Sequence, residues 1–222
     1  MSSKKFNITP EEKRVIEKLD TPMKIQDFLD TLAINFEEKG ETFMSPRRVL
    51  RTKKCHCIEA AFFATFCLWF HGEKPVVIDM KGAWGDWDHV IAIFKKGGGW
   101  GAISKTNHVV LRYREPVYNS IRELVMSYFH EYTDDRKIGI KTLRSYSKPI
   151  NLKNFGKDWI VSEKNLWDLH DALNKEKHFQ IMTKEQIQNL RKADKIEVAM
   201  GELTEWGNRG KKHKWQIKNI RT

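Results

Sequence analysis

The chain has 222 residues, 40% hydrophobic and 31% charged, with a formal net charge of +11. That length and balance suit one sizeable globular domain with its own core rather than a disordered or membrane chain. No stretch approaches the ~18 apolar residues of a membrane span, and three cysteines are too few for a disulfide framework.

TPEEKRVIEKLD (9–20) opens with a capping threonine and a proline at the first helical position, which predicts a helix. TPMKIQDFLDTLAINFE (21–37) repeats the signal, with Ile25, Phe28, Leu29 and Leu32 at helical spacing. Residues 43–56 read as a loop with a helical turn. Cys57 to Phe70 is apolar all round, the pattern of a central covered helix, and Gly72 stops it. PVVIDM (75–80), DHVIAIF (88–94) and WGAISK (100–105) read as strands, the last two forming a hairpin around KKGGG. Helical patterns follow at 118–132, 159–175 and 183–200, and a basic tail occupies 207–222. The expected class is α+β, with helices at both ends of a small antiparallel sheet. The expected organisation is an N-terminal helical segment (1–42), a core (43–150) and a C-terminal helical extension with the basic tail (151–222).

KKCHCIEAAFFATFCLWFHG (53–72) holds all three cysteines. Three readings compete for them. Cys55, Cys57, His71 and His89 are four potential zinc ligands, but C-x-C is tighter than the usual structural spacing and no second pair follows, so no metal is expected. A buried inert thiol suits Cys67, inside the apolar run. Cys57 begins the helix, where unpaired amides and the dipole favour a thiolate, and Ala61 and Ala64 on its face let a strand approach. His89 opens an apolar strand downstream, and a helix-start cysteine with a strand histidine is a Cys–His nucleophile arrangement.

C-x-x-x-A, an apolar helix, a glycine, a strand, then D-H-V-x-x-x-F, glycines and a tryptophan together resemble the transglutaminase-like superfamily of papain-like cysteine enzymes. Cys57, Gly72 and His89 match that pattern over about residues 43 to 110, and NHVVLRYREPVY resembles uncharacterised bacterial members. The resemblance implies a papain/transglutaminase-like core, with the helix-borne cysteine on an antiparallel sheet. It implies a cysteine enzyme acting on an amide or ester, as peptidase, amidase or acyl transferase, on a peptide or protein substrate and without a cofactor. The family usually has an aspartate four residues after the strand tryptophan, and this chain has Ser104 there.

With KKGG as the loop, Phe94 pairs with Gly99 and His89 with Ser104, on one sheet face. Ser104 or Asn107 is therefore the expected orienter of the imidazole, with Asp86 and Asp88 as further candidates. Trp84 and Trp87 flank the approach to His89, and Arg112 and Arg114 are candidate clamps for a substrate carboxylate or phosphate. Two rivals stand beside the enzyme: a catalytically silent binding module of the same fold, and a nucleic-acid-associated basic protein. Acidic residues interspersed among the basic ones leave no clean positive stripe for the latter. The start, MSSKKFNITPEEKR, has no apolar signal core, so the expected setting is cytoplasmic.

Overall fold

The computed structural model describes residues 6–83, 85–134, 139–201 and 203–205. In chain order the elements are α1 (Pro10–Lys18), α2 (Pro22–Asp30), β1 (Ala33–Ile34), α3 (Pro46–Thr52), β2 (Lys54–Cys55), α4 (Cys57–Phe70), β3 (Val76–Lys81), β4 (His89–Lys96), β5 (Gly99–Ile103) and β6 (Arg114–Tyr118). They continue with α5 (Ile121–Met126), β7 (Thr133–Asp134), β8 (Ile140–Lys141), β9 (Ser145–Ser147), β10 (Ile150–Asn151), α6 (Trp167–Lys175), β11 (His178–Gln180), α7 (Lys184–Gln188) and α8 (Lys195–Gly201). The protein is a mixed α+β structure. No helix among the described residues is long and apolar enough to cross a membrane.

The first helices form where their caps are written. Thr9 accepts from the Glu12 amide while the Glu12 carboxylate returns to the Thr9 amide, and Thr21 and Ser45 cap α2 and α3, each followed by proline. α2 ends at Asp30, short of the predicted 37, because the chain then runs into β1 beside β2. α4 is the centre: every residue from Ile58 to Phe70 is buried.

The main sheet has the order β11-β9-β3-β4-β5-β6, with β10 also on β3, and all its pairs are antiparallel. Period-two alternation divides the sheet between two cores. Val77, Val90, Ala92 and Phe94 pack with α4 and with Phe6, Ile16, Ile25, Leu29 and Val49. Ile78, Met80, Ile91 and Ile93 pack on the other side with Leu124, Val125, Tyr128 and Phe129. A sheet buried on both faces explains why β4 reads as an almost continuous apolar run.

The β4–β5 hairpin turns on Gly97 and Gly98 alone, at φ of 59° and 86°. A two-residue loop of this hand needs positive φ at both positions, which glycine supplies. Lys96 therefore faces Gly99, Phe94 faces Gly101 and Ala92 faces Ile103. The expected pairings, Phe94 with Gly99 and His89 with Ser104, are corrected by two residues. An even slip leaves every side chain on its expected face, so Ser104 becomes a diagonal rather than a direct neighbour of His89.

Three helix predictions also change. The helix over 118–132 shrinks to α5, because β6 claims the chain up to Tyr118 and tighter turns replace the helix after Met126. The pattern over 159–175 divides into a short 3₁₀ turn (Asp158–Ile160) and α6, and that over 183–200 into α7 and α8. The predicted tail, 207–222, lies outside the described residues.

Candidate active site

The site forms where α4 and β4 begin, at Cys57 and His89. Cys57 is the first residue of α4 and is half-buried, whereas Cys55 and Cys67 are buried. The His56 and His89 imidazoles both bear on the Cys57 side chain. Burial alone raises its pKa, but the hydrogen bonds and charge of the two rings outweigh burial and bring the thiol down to about 5. Burial pushes Cys55 up to about 12 and holds Cys67 well above the ordinary thiol range. The three cysteines thus differ in kind, with Cys57 the one poised as a thiolate.

His89 is buried, and its Nε2 lies 2.7 Å from Ser104 Oγ. Ser104 Oγ is also 2.5 Å from the Leu111 carbonyl, which can only accept. The serine hydroxyl therefore donates to Leu111 and accepts from His89 Nε2–H, which leaves His89 Nδ1 as the ring's free acceptor. Ser104 is itself clamped: Gln26, on α2, donates to its carbonyl at 2.9 Å and accepts from its amide at 3.0 Å. Leu111 sits at φ 60°, a left-handed conformation that costs a non-glycine residue about 1–2 kcal/mol. Its amide donates to Glu131 Oε2 at 2.9 Å, and Glu131 pairs with Arg114 at 2.7 Å. Backbone strain at Leu111 aims the carbonyl that fixes the serine.

His56, the N-cap of α4, has extended backbone and an amide that donates to Glu59 Oε2 at 3.1 Å. Its Nε2 is 2.8 Å from the Thr42 carbonyl, 3.4 Å from Glu37 Oε1 and 3.5 Å from Glu59 Oε1. Burial opposes its charge, but hydrogen bonds to Cys57 and Glu59 raise its pKa to about 11. Glu59 is fully buried and accepts from Asn35 Nδ2, Thr42 Oγ1 and the Met44 amide as well as from His56. Burial raises its pKa, and the His56 contact with these donors lowers it below the ordinary value. Neither His56 nor Glu59 received a role from sequence. The signal that finds them is their spacing: an N-cap and an acidic residue three positions on, the capping-box interval.

The other predicted residues are distributed as follows. Asn107 lies beyond β5 and its carbonyl accepts from the Glu205 amide; His89 Nε2 is bonded to Ser104 instead. Asp86 bonds Thr142 and the Trp87 amide, and Asp88 pairs with Lys81 at 3.5 Å, so both carboxylates are engaged away from His89. Trp87 is 82% exposed, its carbonyl held by the Tyr132 hydroxyl, and it stands two residues from His89. Trp84 lies outside the described residues. Arg114 is built into the support: it bonds Ser127 and Glu131 and lies 4.0 Å from the centre of the Tyr128 ring. Arg112 donates to the His108 carbonyl and reaches Asp30 and Glu205 at 4.0 and 3.7 Å. His71 is at the far end of α4, on the Ile16 carbonyl, so the four residues weighed as zinc ligands do not converge. Among the described residues no other group of histidine, cysteine and carboxylate side chains is placed to hold a metal ion.

No family model matches the chain, and no curated protein matches it.

Proposed function

We propose that the protein is a cysteine-nucleophile enzyme of transglutaminase-like fold, acting on an amide or ester bond of a peptide or protein. The observation that carries the reading is a half-buried cysteine at the start of a buried helix, flanked by imidazoles and lowered to about 5. In the proposed cycle the Cys57 proton moves to His89 Nδ1, and the sulfur attacks the substrate carbonyl carbon. The carbonyl π pair moves onto oxygen, where first-turn amides of α4, which lack intrahelical acceptors, bind it. The intermediate collapses, the C–N or C–O bond breaks, and His89 gives its proton to the leaving group. Water, giving a proton to His89, then cleaves the thioester; in a transferase an amine takes its place. Ser104 orients His89 throughout, and exposed Trp87 offers an apolar face to the substrate.

Labelling by iodoacetamide across pH tests this. The expected profile rises through about pH 5 and is flat at neutrality, maps to Cys57 by peptide mass, and vanishes in Cys57→Ala. p-Nitrophenyl acetate should give a burst of about one equivalent of p-nitrophenolate that Cys57→Ala loses. An ordinary thiol titration near pH ~8.5 overturns the reading. The binding-module alternative is favoured by one feature, the neutral Ser104 in the usual carboxylate position. It predicts that ordinary titration together with no burst.

A further inference from the structure

The carboxylate missing behind His89 stands behind a different ring. Three acceptors converge on His56 Nε2: the Thr42 carbonyl at 2.8 Å, Glu37 Oε1 at 3.4 Å and Glu59 Oε1 at 3.5 Å. A carbonyl cannot donate, so Nε2 carries a hydrogen, and a proton on the remaining nitrogen makes the ring positive. Glu59 has no exposure and is bound by Asn35, Thr42 and the Met44 amide, so it cannot turn away. A positive ring at a helix N-terminus is opposed by the helix dipole. It persists there only beside negative groups, and here it has two carboxylates and a thiolate. The surroundings of His89 are different. Its outer nitrogen meets only a neutral serine hydroxyl that is committed to the Leu111 carbonyl.

We infer that His56 is the resident imidazolium of the site, pairing with the Cys57 thiolate and backed by Glu59 and Glu37, while His89 is the ring that moves the proton. The inference rests on the reading of Cys57 as the nucleophile. It divides between two histidines what a Cys–His–Asp arrangement asks of one. A ring held by carboxylates keeps its proton and stabilises the thiolate. A ring backed by a hydroxyl takes up and releases a proton with less resistance, as a general acid and base must. Ser104 in place of aspartate is then a working arrangement rather than a lost one.

The ionisable groups facing His56 are Cys57, Glu37 and Glu59; His170 is separated from it by the Phe43 ring, on which it stacks. Two measurements on the full chain test the assignment. Nitrogen-15 NMR of the unsubstituted protein should find both His56 ring nitrogens protonated from pH 6 to 9. Iodoacetamide labelling of Cys57 at pH 6 should fall by about twofold in His56→Gln for a rise of one pKa unit from about 5, and by about tenfold for a rise of two. His89→Ala should keep a depressed labelling profile yet lose turnover of the acetyl-enzyme formed from p-nitrophenyl acetate. Glu37→Gln, at a partly exposed position that spares the buried network, should shift the profile upward by a smaller amount. An unprotonated His56 Nδ1 at pH 7, or His56→Gln labelling like the unsubstituted protein, overturns the assignment and leaves Cys57 as nucleophile with His89 alone. Ordinary labelling near pH ~8.5 in the unsubstituted protein overturns both.

Discussion

Ser104 is 3% exposed, and its one hydroxyl serves two partners, accepting from His89 and donating to the Leu111 carbonyl. Ser104→Ala leaves both partners unpaired and is expected to cost about 1–3 kcal/mol in urea denaturation, with a slower acetyl-enzyme turnover. Ser104→Asp does not simply restore a family-type aspartate. An ionised carboxylate has no proton to give Leu111 and is repelled by that carbonyl, so the variant is expected to be less stable than the parent. Thermal denaturation of the two variants side by side checks this. Cys57, His89 and Ser104 were legible because each sits at a recognisable place: a helix start, a strand start and a position fixed by hairpin parity. His56 and Glu59 were not, because their meaning comes from Glu37, Asn35 and Thr42, on a loop whose path along the helix no local pattern specifies.

The elements hold the site by a few close contacts. A Cβ on Gly99 would lie 2.0 Å from the Pro116 carbonyl oxygen, so β6 would have to move off β5. Because β6 carries Arg114, the partner of Glu131 and so of Leu111, Gly99→Ala is expected to lower stability by about 2–4 kcal/mol and to weaken the site with it. Urea denaturation and the acetylation burst together report both effects. Lys105, 2% exposed, donates from Nζ to the Leu29 and Leu32 carbonyls at 2.8 Å each and ties the end of α2 to the segment after β5. Burial lowers its pKa, with Cys55 and Asp30 opposing. Lys105→Met strands two buried carbonyls, and the midpoint of urea denaturation should fall by the equivalent of about 2–4 kcal/mol. The apolar run of α4 and the strands around Gly97 and Gly98 were legible as elements. The helix predicted at 118–132 was not, since Tyr128 is drawn out of helical register to pack under the sheet and to bond the Arg112 carbonyl.

At the scale of the whole molecule, the N-terminal helices and α6 belong to one core. Phe6, Ile16 and Ile25 from the N-terminal stretch and Leu169 and Leu173 from α6 share a cluster with α4. β11 closes the sheet through His178, whose Nε2 is 3.2 Å from Asp79 Oδ2 on β3. Asp79 is 2% exposed, and its Oδ1 has no hydrogen-bond partner among the described residues. Burial and then Asp88 raise its pKa to about 6, with Lys81 and His178 opposing. A raised carboxyl binds its proton more tightly in the folded state, so its contribution favours folding most below its ordinary value near 3.8 and declines as pH rises through about 6. Asp79→Asn should remove that decline, of order 1–3 kcal/mol, and be neutral or stabilising at pH 7 by thermal denaturation. What the sequence by itself determined was local: caps, the covered helix, the glycine turn, and which faces of β4 and β5 point together, all set by bonding within a few residues or by strict two-residue alternation. What only the tertiary structure decided was the company of the sulfur. The strained Leu111 carbonyl and the carboxylates on His56 arise where separate stretches meet. Each is fixed by the joint packing and hydrogen-bond satisfaction of groups tens of residues apart, which no short window of sequence contains.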